Sequence, residues 1–141
     1  MNISLLEKLR CPVSHLPLKL ETSTSVYGDE IIEGFLSTID GKYRYAINGG
    51  IPRFVPEDNY ASAFGLQWKN FAKTQLDSFN GTKISQERLE RCLGFPIEQL
   101  QGKNLLEVGS GAGRFTELFV KGGANVHTVD LSVAVEVNKE N

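Results

Sequence analysis

The twelve residues Asn104-Leu105-Leu106-Glu107-Val108-Gly109-Ser110-Gly111-Ala112-Gly113-Arg114-Phe115 constrain this chain more than any other stretch. An apolar run passes into a turn with glycine at every second position, and the turn opens an amphipathic segment. This order predicts a buried strand, a tight turn and a helix. One glycine lets the chain leave the strand sharply, one allows a ligand to approach the backbone, and one lets the helix pack close to the sheet. The helix start is expected to offer unpaired N–H groups to an anionic group in the crevice.

The next segment extends the pattern. Phe115, Leu118 and Phe119 recur at helical spacing, and Gly122-Gly123 supplies a stop. Asn125-Val126-His127-Thr128-Val129 reads as a second short strand ending in Asp130, 21 residues after Gly109, where a ribose-binding acid belongs. Ser132 is placed to cap a further helix carrying Val133, Ala134 and Val137. Strand, helix, strand, helix is the beginning of a parallel α/β unit. His127, inside the second strand, reads as a core or edge histidine rather than a base.

Two details separate the ligands such a turn could hold. The dinucleotide fingerprint is G-x-G-x-x-G, whereas here the third glycine, Gly113, comes one position early and Arg114 stands in its place. Glu107 precedes the first glycine by two residues, where its charge would repel a pyrophosphate and attract an ammonium group.

Glu107-Val108-Gly109-Ser110-Gly111-Ala112-Gly113 together with Asp130 resembles the first two motifs of class I S-adenosylmethionine-dependent methyltransferases. The resemblance implies a Rossmann-like, mostly parallel sheet and S-adenosyl-L-methionine as cofactor. Glu107, Gly109, Ser110, Gly111, Ala112, Gly113, Asp130 and Leu131 would be cofactor-binding residues. The turn would hold the methionine carboxylate, Glu107 would face the amino group, and Asp130 would accept from the ribose hydroxyls. Only the first two strands of such a sheet are found before Asn141, so the domain is expected to be truncated, to expose apolar surface and to be capable of self-association through the incomplete sheet.

Residues 58–101 form a connector with helical periodicity. Tyr60, Phe64, Trp68 and Phe71 fall on one face of an amphipathic helix. Ser85 is expected to cap a helix with Leu89, Cys92 and Leu93 on its packed face, stopped by Gly94, and Pro96 suits the start of a short helix ending at Gly102. Phe64-Gly65-Leu66-Gln67-Trp68 and Thr74-Gln75-Leu76-Asp77 look like a signature that precedes the glycine motif in a subset of bacterial methyltransferases. By that likeness the helix would act as a lid, with Gln67 or Trp68 at the cofactor pocket's edge. The alternative is that the aromatic stripe is core packing.

Residues 1–57 read as a separate, small β-rich domain. Ser4-Leu5-Leu6-Glu7 has capping-box spacing and opens a short helix ending by Arg10-Cys11-Pro12. Leu18-Lys19-Leu20 alternates like a strand. Ile31 to Ile39, Asp40-Gly41, and Lys42 to Ile47 read as a hairpin, closed by a second turn at Asn48-Gly49-Gly50 before Ile51-Pro52. Leu9-Arg10-Cys11-Pro12 with Leu16-Pro17-Leu18, Gly34-Phe35-Leu36, Tyr45-Ala46-Ile47 and Gly50-Ile51-Pro52 resembles small zinc-ribbon adaptors that activate methyltransferases. Where that family has two C-x-x-C pairs, this chain has Cys11 with Ser14, and Ser37 with Asp40. Even with His15 added, this donor set is poor for zinc, and a metal-free scaffold is expected.

The fold class expected is therefore α+β: a β-rich N-terminal domain (1–57), a helical connector (58–101), and the first β-α-β-α portion of a Rossmann-like S-adenosylmethionine domain (102–141). A net charge of −2 provides no basic field for nucleic acid or anionic lipid. No apolar run reaches membrane-spanning length, no signal-peptide pattern opens the chain, and Cys11 and Cys92 suit reduced thiols, so a cytoplasmic location is expected. The expected enzyme transfers a methyl group to an unidentified acceptor. No catalytic base is nominated, because the substrate-facing loops of the resembling fold follow later strands. The alternative is a non-catalytic adaptor or a remnant that contacts a partner methyltransferase, and a nicotinamide-dependent oxidoreductase is disfavoured by the glycine spacing.

Overall fold

A computed structural model describes residues 1–56, 67, 68 and 70–141. The chain divides into two compact units, Met1–Pro56 and Glu57–Asn141. Its architecture is mixed α and β: a four-stranded antiparallel sheet in the first unit, and four helices and a two-stranded parallel sheet in the second among the described residues. No helix among the described residues is long and apolar enough to cross a membrane.

The first unit is an antiparallel meander of β1 (Leu18–Tyr27), β2 (Glu30–Thr38), β3 (Arg44–Asn48) and β4 (Ile51–Pro52). Met1, Cys11, Leu18, Ile31, Leu36 and Ile47 form its core, with Leu5, Leu6, Leu9, Leu20, Tyr43, Tyr45 and Phe54 packed around them. Each fully buried Leu or Ile contributes about 1.5–3 kcal/mol relative to exposure. The β2–β3 turn is held by the Asp40 carboxylate, which accepts from the Thr38 hydroxyl and from the Lys42 amide at 3.1 Å. β1 outruns the three residues that alternate in the sequence, because from Glu21 onward its residues are exposed and its pairing to β2 contains register shifts. Gly34 is required there, since a Cβ would lie 2.4 Å from the Thr22 carbonyl oxygen.

The initial helix differs from the capping-box expectation. It is a 3-10 turn over Ile3–Glu7, and Asn2 rather than Ser4 caps it, its Oδ1 accepting from the Ser4 amide at 2.9 Å. Cys11 begins a tight turn in which the His15 amide donates to its carbonyl at 2.9 Å, and its buried Sγ accepts from the Ser14 amide at 3.4 Å. Sγ also shares a 3.0 Å hydrogen bond with the Tyr45 hydroxyl. Burial pushes the Cys11 thiol up, but hydrogen bonds from Ser14 and Tyr45 outweigh it and bring the group down to about 7. Among the described residues no group of three or more His, Cys, Asp and Glu side chains is arranged to hold a metal.

In the second unit β5 (Asn104–Val108) pairs in parallel with β6 (Asn125–Val129), Leu106 opposite His127 and Val108 opposite Val129. The helices are α1 (Asp77–Asn80), α2 (Ile84–Leu93), α3 (Thr116–Lys121) and α4 (Ala134–Glu140), with a 3-10 turn at Ile97–Leu100 after Pro96. Leu89, Ile97, Leu100 and Leu118 form the core, and Leu105 packs on it from one face of the sheet. On the other face Leu106 is 66% exposed, Val108 75% and Val129 47%, while His127 beside them is partly buried.

Two expectations for the connector are corrected. Ser85 lies inside α2, and the cap comes from Asp77, whose carboxylate accepts from the amides of Ser85 at 3.0 Å and Gln86 at 2.9 Å and from Thr82 Oγ1 at 3.1 Å. A carboxylate that gathers two free helix amides and a hydroxyl outcompetes a local serine. Cys92 is exposed, because Leu89 carries the packed face of α2. Of the aromatic stripe, Tyr60 and Phe64 lie outside the described residues, Trp68 is partly buried and Phe71 is 56% exposed.

Candidate functional site

The turn between β5 and α3 is built by three left-handed glycines, at φ +75° for Gly109, +54° for Gly111 and +96° for Gly113. Only glycine adopts these values without strain, but each has different surroundings. A Cβ at Gly109 would meet nothing within 4 Å. At Gly111 it would lie 3.6 Å from Nε1 and Cε2 of Trp68, so the indole sits directly over the turn. At Gly113 it would collide with Asn138 Oδ1 at 2.3 Å, and the missing side chain admits a residue of α4.

The amides of the turn are largely committed within the chain. Gly109 donates to the Val129 carbonyl at 2.8 Å and Gly113 to that of Ser110 at 3.0 Å. Gly111 donates at 2.8 Å to Asp130 Oδ2. These three glycine amides close the turn on itself and on the end of β6, and α3 begins at Thr116; among the described residues the amides of Ala112, Arg114, Phe115 and Thr116 have no hydrogen-bond partner. Ser110 is buried, and its hydroxyl has no hydrogen-bond partner among the described residues. Ala112 is buried beside it, its carbonyl accepting from Asn141 Nδ2 at 2.9 Å.

Asp130 is the tie between the two strand ends. While Oδ2 holds the Gly111 amide, Oδ1 accepts from the Ser132 amide at 2.8 Å and its hydroxyl at 2.7 Å. Ser132 Oγ in turn accepts from the Ala134 amide at 3.2 Å, which is the helix-capping role read from its position. A carboxylate has about four acceptor positions, so one on Oδ2 stays open for a ligand hydroxyl. Leu131 follows, 47% exposed.

Glu107 lies on the packed side of β5 and is half-buried. Desolvation raises its carboxyl above the ordinary range, and a hydrogen bond donated by the Thr116 hydroxyl to Oε2 opposes that shift. Thr116 Oγ1 itself accepts from Asn138 Nδ2 at 3.0 Å. Thr116 and Asn138 were not singled out in the sequence. The available signal was Thr116 in the first turn of the helix that the glycines open.

Behind the turn, Arg114 donates from Nε to Ser85 Oγ at 2.9 Å. Glu117 accepts from the amides of Asp77 at 3.2 Å and Ser78 at 3.1 Å. Charged side chains of the glycine segment thus fasten the α1–α2 region to it. Glu107, the three glycines, Ser110, Ala112, Asp130 and Trp68 converge on one turn. Gln67 is exposed, and among the described residues no hydrogen bond links its side chain to the turn. No model of a known protein family matches the chain, and a search of curated proteins likewise finds no match.

Proposed function

We propose that the glycine turn, Glu107 and Asp130 bind S-adenosyl-L-methionine, and that the chain is the cofactor-binding portion of a Rossmann-like methyltransferase whose acceptor is unidentified. One observation carries this reading: Glu107 and Asp130 stand at the carboxyl ends of adjacent parallel strands with the glycine turn bonded to Asp130 between them. Ligands of open parallel sheets bind in that position. A half-buried carboxylate two residues before the turn suits a ligand with an ammonium group and opposes a pyrophosphate.

The residues fit the group in three further respects. Ser110 carries a buried hydroxyl with no hydrogen-bond partner among the described residues, Asp130 has an acceptor position beyond its three bonds that suits a ribose hydroxyl, and the Trp68 indole covers the turn. When bound, the cofactor supplies an electrophilic methyl group on a sulfonium centre. The chain's own residues would hold and orient the ligand and keep water from it, and orientation of this kind accounts for a large share of a displacement's rate.

A second reading, a non-catalytic module that contacts a partner enzyme, draws on the exposed apolar side chains Leu106, Val108 and Val129. Titration calorimetry with S-adenosylmethionine separates the two, with NAD as competitor and Glu107→Gln as the near-isosteric variant. Saturable heat that NAD does not displace and that the variant weakens is expected. Absence of heat with a folded chain favours the contact module, and displacement by NAD favours a dinucleotide site.

A further inference from the structure

Three side chains on three elements are linked in a fixed direction: Asn138 on α4, Thr116 at the start of α3, and Glu107 on β5. An amide nitrogen only donates, so Thr116 Oγ1 must accept from Asn138 Nδ2. A hydroxyl carries one proton, and with its lone pair engaged that proton is directed to Glu107 Oε2. The array therefore favours Glu107 as an ionised acceptor, against the burial that favours its neutral form. Gly113 makes the approach of Asn138 possible, because any side chain there would occupy the position of Asn138 Oδ1. Oε1 has no hydrogen-bond partner among the described residues.

We infer that Thr116 and Asn138 are positioning residues that hold Glu107 as the acceptor for the ammonium group of the ligand at the glycine turn. The inference rests on the proposed cofactor site for the identity of the ligand. The arrangement of Glu107 itself is testable without any ligand. It also gives Gly113 a role that Gly109 lacks: beyond its left-handed place in the turn, its missing side chain admits the residue that positions the acid.

The test is a carbon-detected NMR titration of the Glu107 carboxyl in the full chain and in Thr116→Val, Thr116→Ser and Asn138→Leu, with S-adenosylmethionine titrated into each. Thr116→Val should raise the Glu107 titration midpoint, Asn138→Leu should raise it less, and Thr116→Ser should return it to the original value. Binding should weaken on the order of tenfold in Thr116→Val, the scale of one hydrogen bond to a charged group. That loss should grow as pH falls toward the midpoint, a profile that general damage to the fold would not produce. An unchanged Glu107 midpoint in a folded Thr116→Val chain overturns the inference. If that variant does not fold, an unchanged midpoint in Asn138→Leu together with a shifted one in Thr116→Ser overturns it equally. Failure of S-adenosylmethionine to bind the unaltered chain sinks the ligand assignment alone, while the midpoints still decide whether Thr116 and Asn138 set the state of Glu107.

Discussion

The two units of this chain are held together by different means. In Met1–Pro56 an antiparallel meander wraps one apolar core, and the side-chain hydrogen bonds mostly close turns, as Asp40 does between β2 and β3. Among the described residues of Glu57–Asn141 the sheet is a parallel pair with Leu106 and Val108 exposed on one face, and carboxylates carry much of the organisation. Asp77 caps α2, Glu117 caps α1, and Asp130 binds the glycine turn to the start of α4. The second unit concentrates buried or half-buried acids around one turn, which suits a site that must recognise a polar ligand.

The largest effect that would test this contrast is loss of apolar packing in the first unit. Leu36, fully buried, should cost about 2–5 kcal/mol as Leu36→Ala. Denaturant unfolding with hydrogen exchange at the Arg44–Asn48 amides measures it. A loss under 1 kcal/mol would mean the core is not the principal support.

Next comes the acid network of the second unit. Asp77→Ala leaves two amides of α2 without their acceptor and should cost about 1–3 kcal/mol, read from thermal unfolding. Burial pushes the Asp77 carboxyl up, but the Gln86 and Ser85 amides and the neighbouring hydroxyls hold it below the ordinary carboxylate range. A depressed folded value means that this stabilisation is complete above the unfolded carboxylate range and is lost as pH falls through the folded value. The variant should therefore lack that part of the acid-induced loss of stability. An identical acid profile in both chains would remove Asp77 from the account.

The smallest effect compares two glycines of the same turn. Gly109→Ala meets only backbone strain, about 1 kcal/mol, whereas Gly113→Ala adds a collision with Asn138 and should cost about 1–2 kcal/mol more. Equal losses would mean that Asn138 moves aside freely.

Elements whose signal is local were legible from the sequence. The hairpin around Asp40-Gly41, the strands 104–108 and 125–129, the stop at Gly122-Gly123 and the serine cap at Ser132 follow from periodicity and turn chemistry. What escaped depends on partners distant in the chain. Most of β1 is exposed and gains its strand state from β2 rather than from its own alternation. Asp77 reaches past Ser85 to cap α2, and Cys92 looks apolar in sequence yet turns to solvent. At the candidate site, the glycines and the two acids were visible by spacing. The commitment of the Gly111 amide to Asp130 and the approach of Asn138 to Thr116 were not, since each bond forms only once the elements that carry the two residues have packed.

The proposal that Glu107, the glycine turn and Asp130 form one site for S-adenosylmethionine is decided by amide-resolved NMR of the 141-residue chain during titration with that compound. Saturable shifts should centre on the amides of Gly109, Gly111, Gly113 and Ser132 and leave those of Arg44–Asn48 unmoved. Shifts confined to other residues, or none at millimolar ligand in a well-dispersed spectrum, would contradict it.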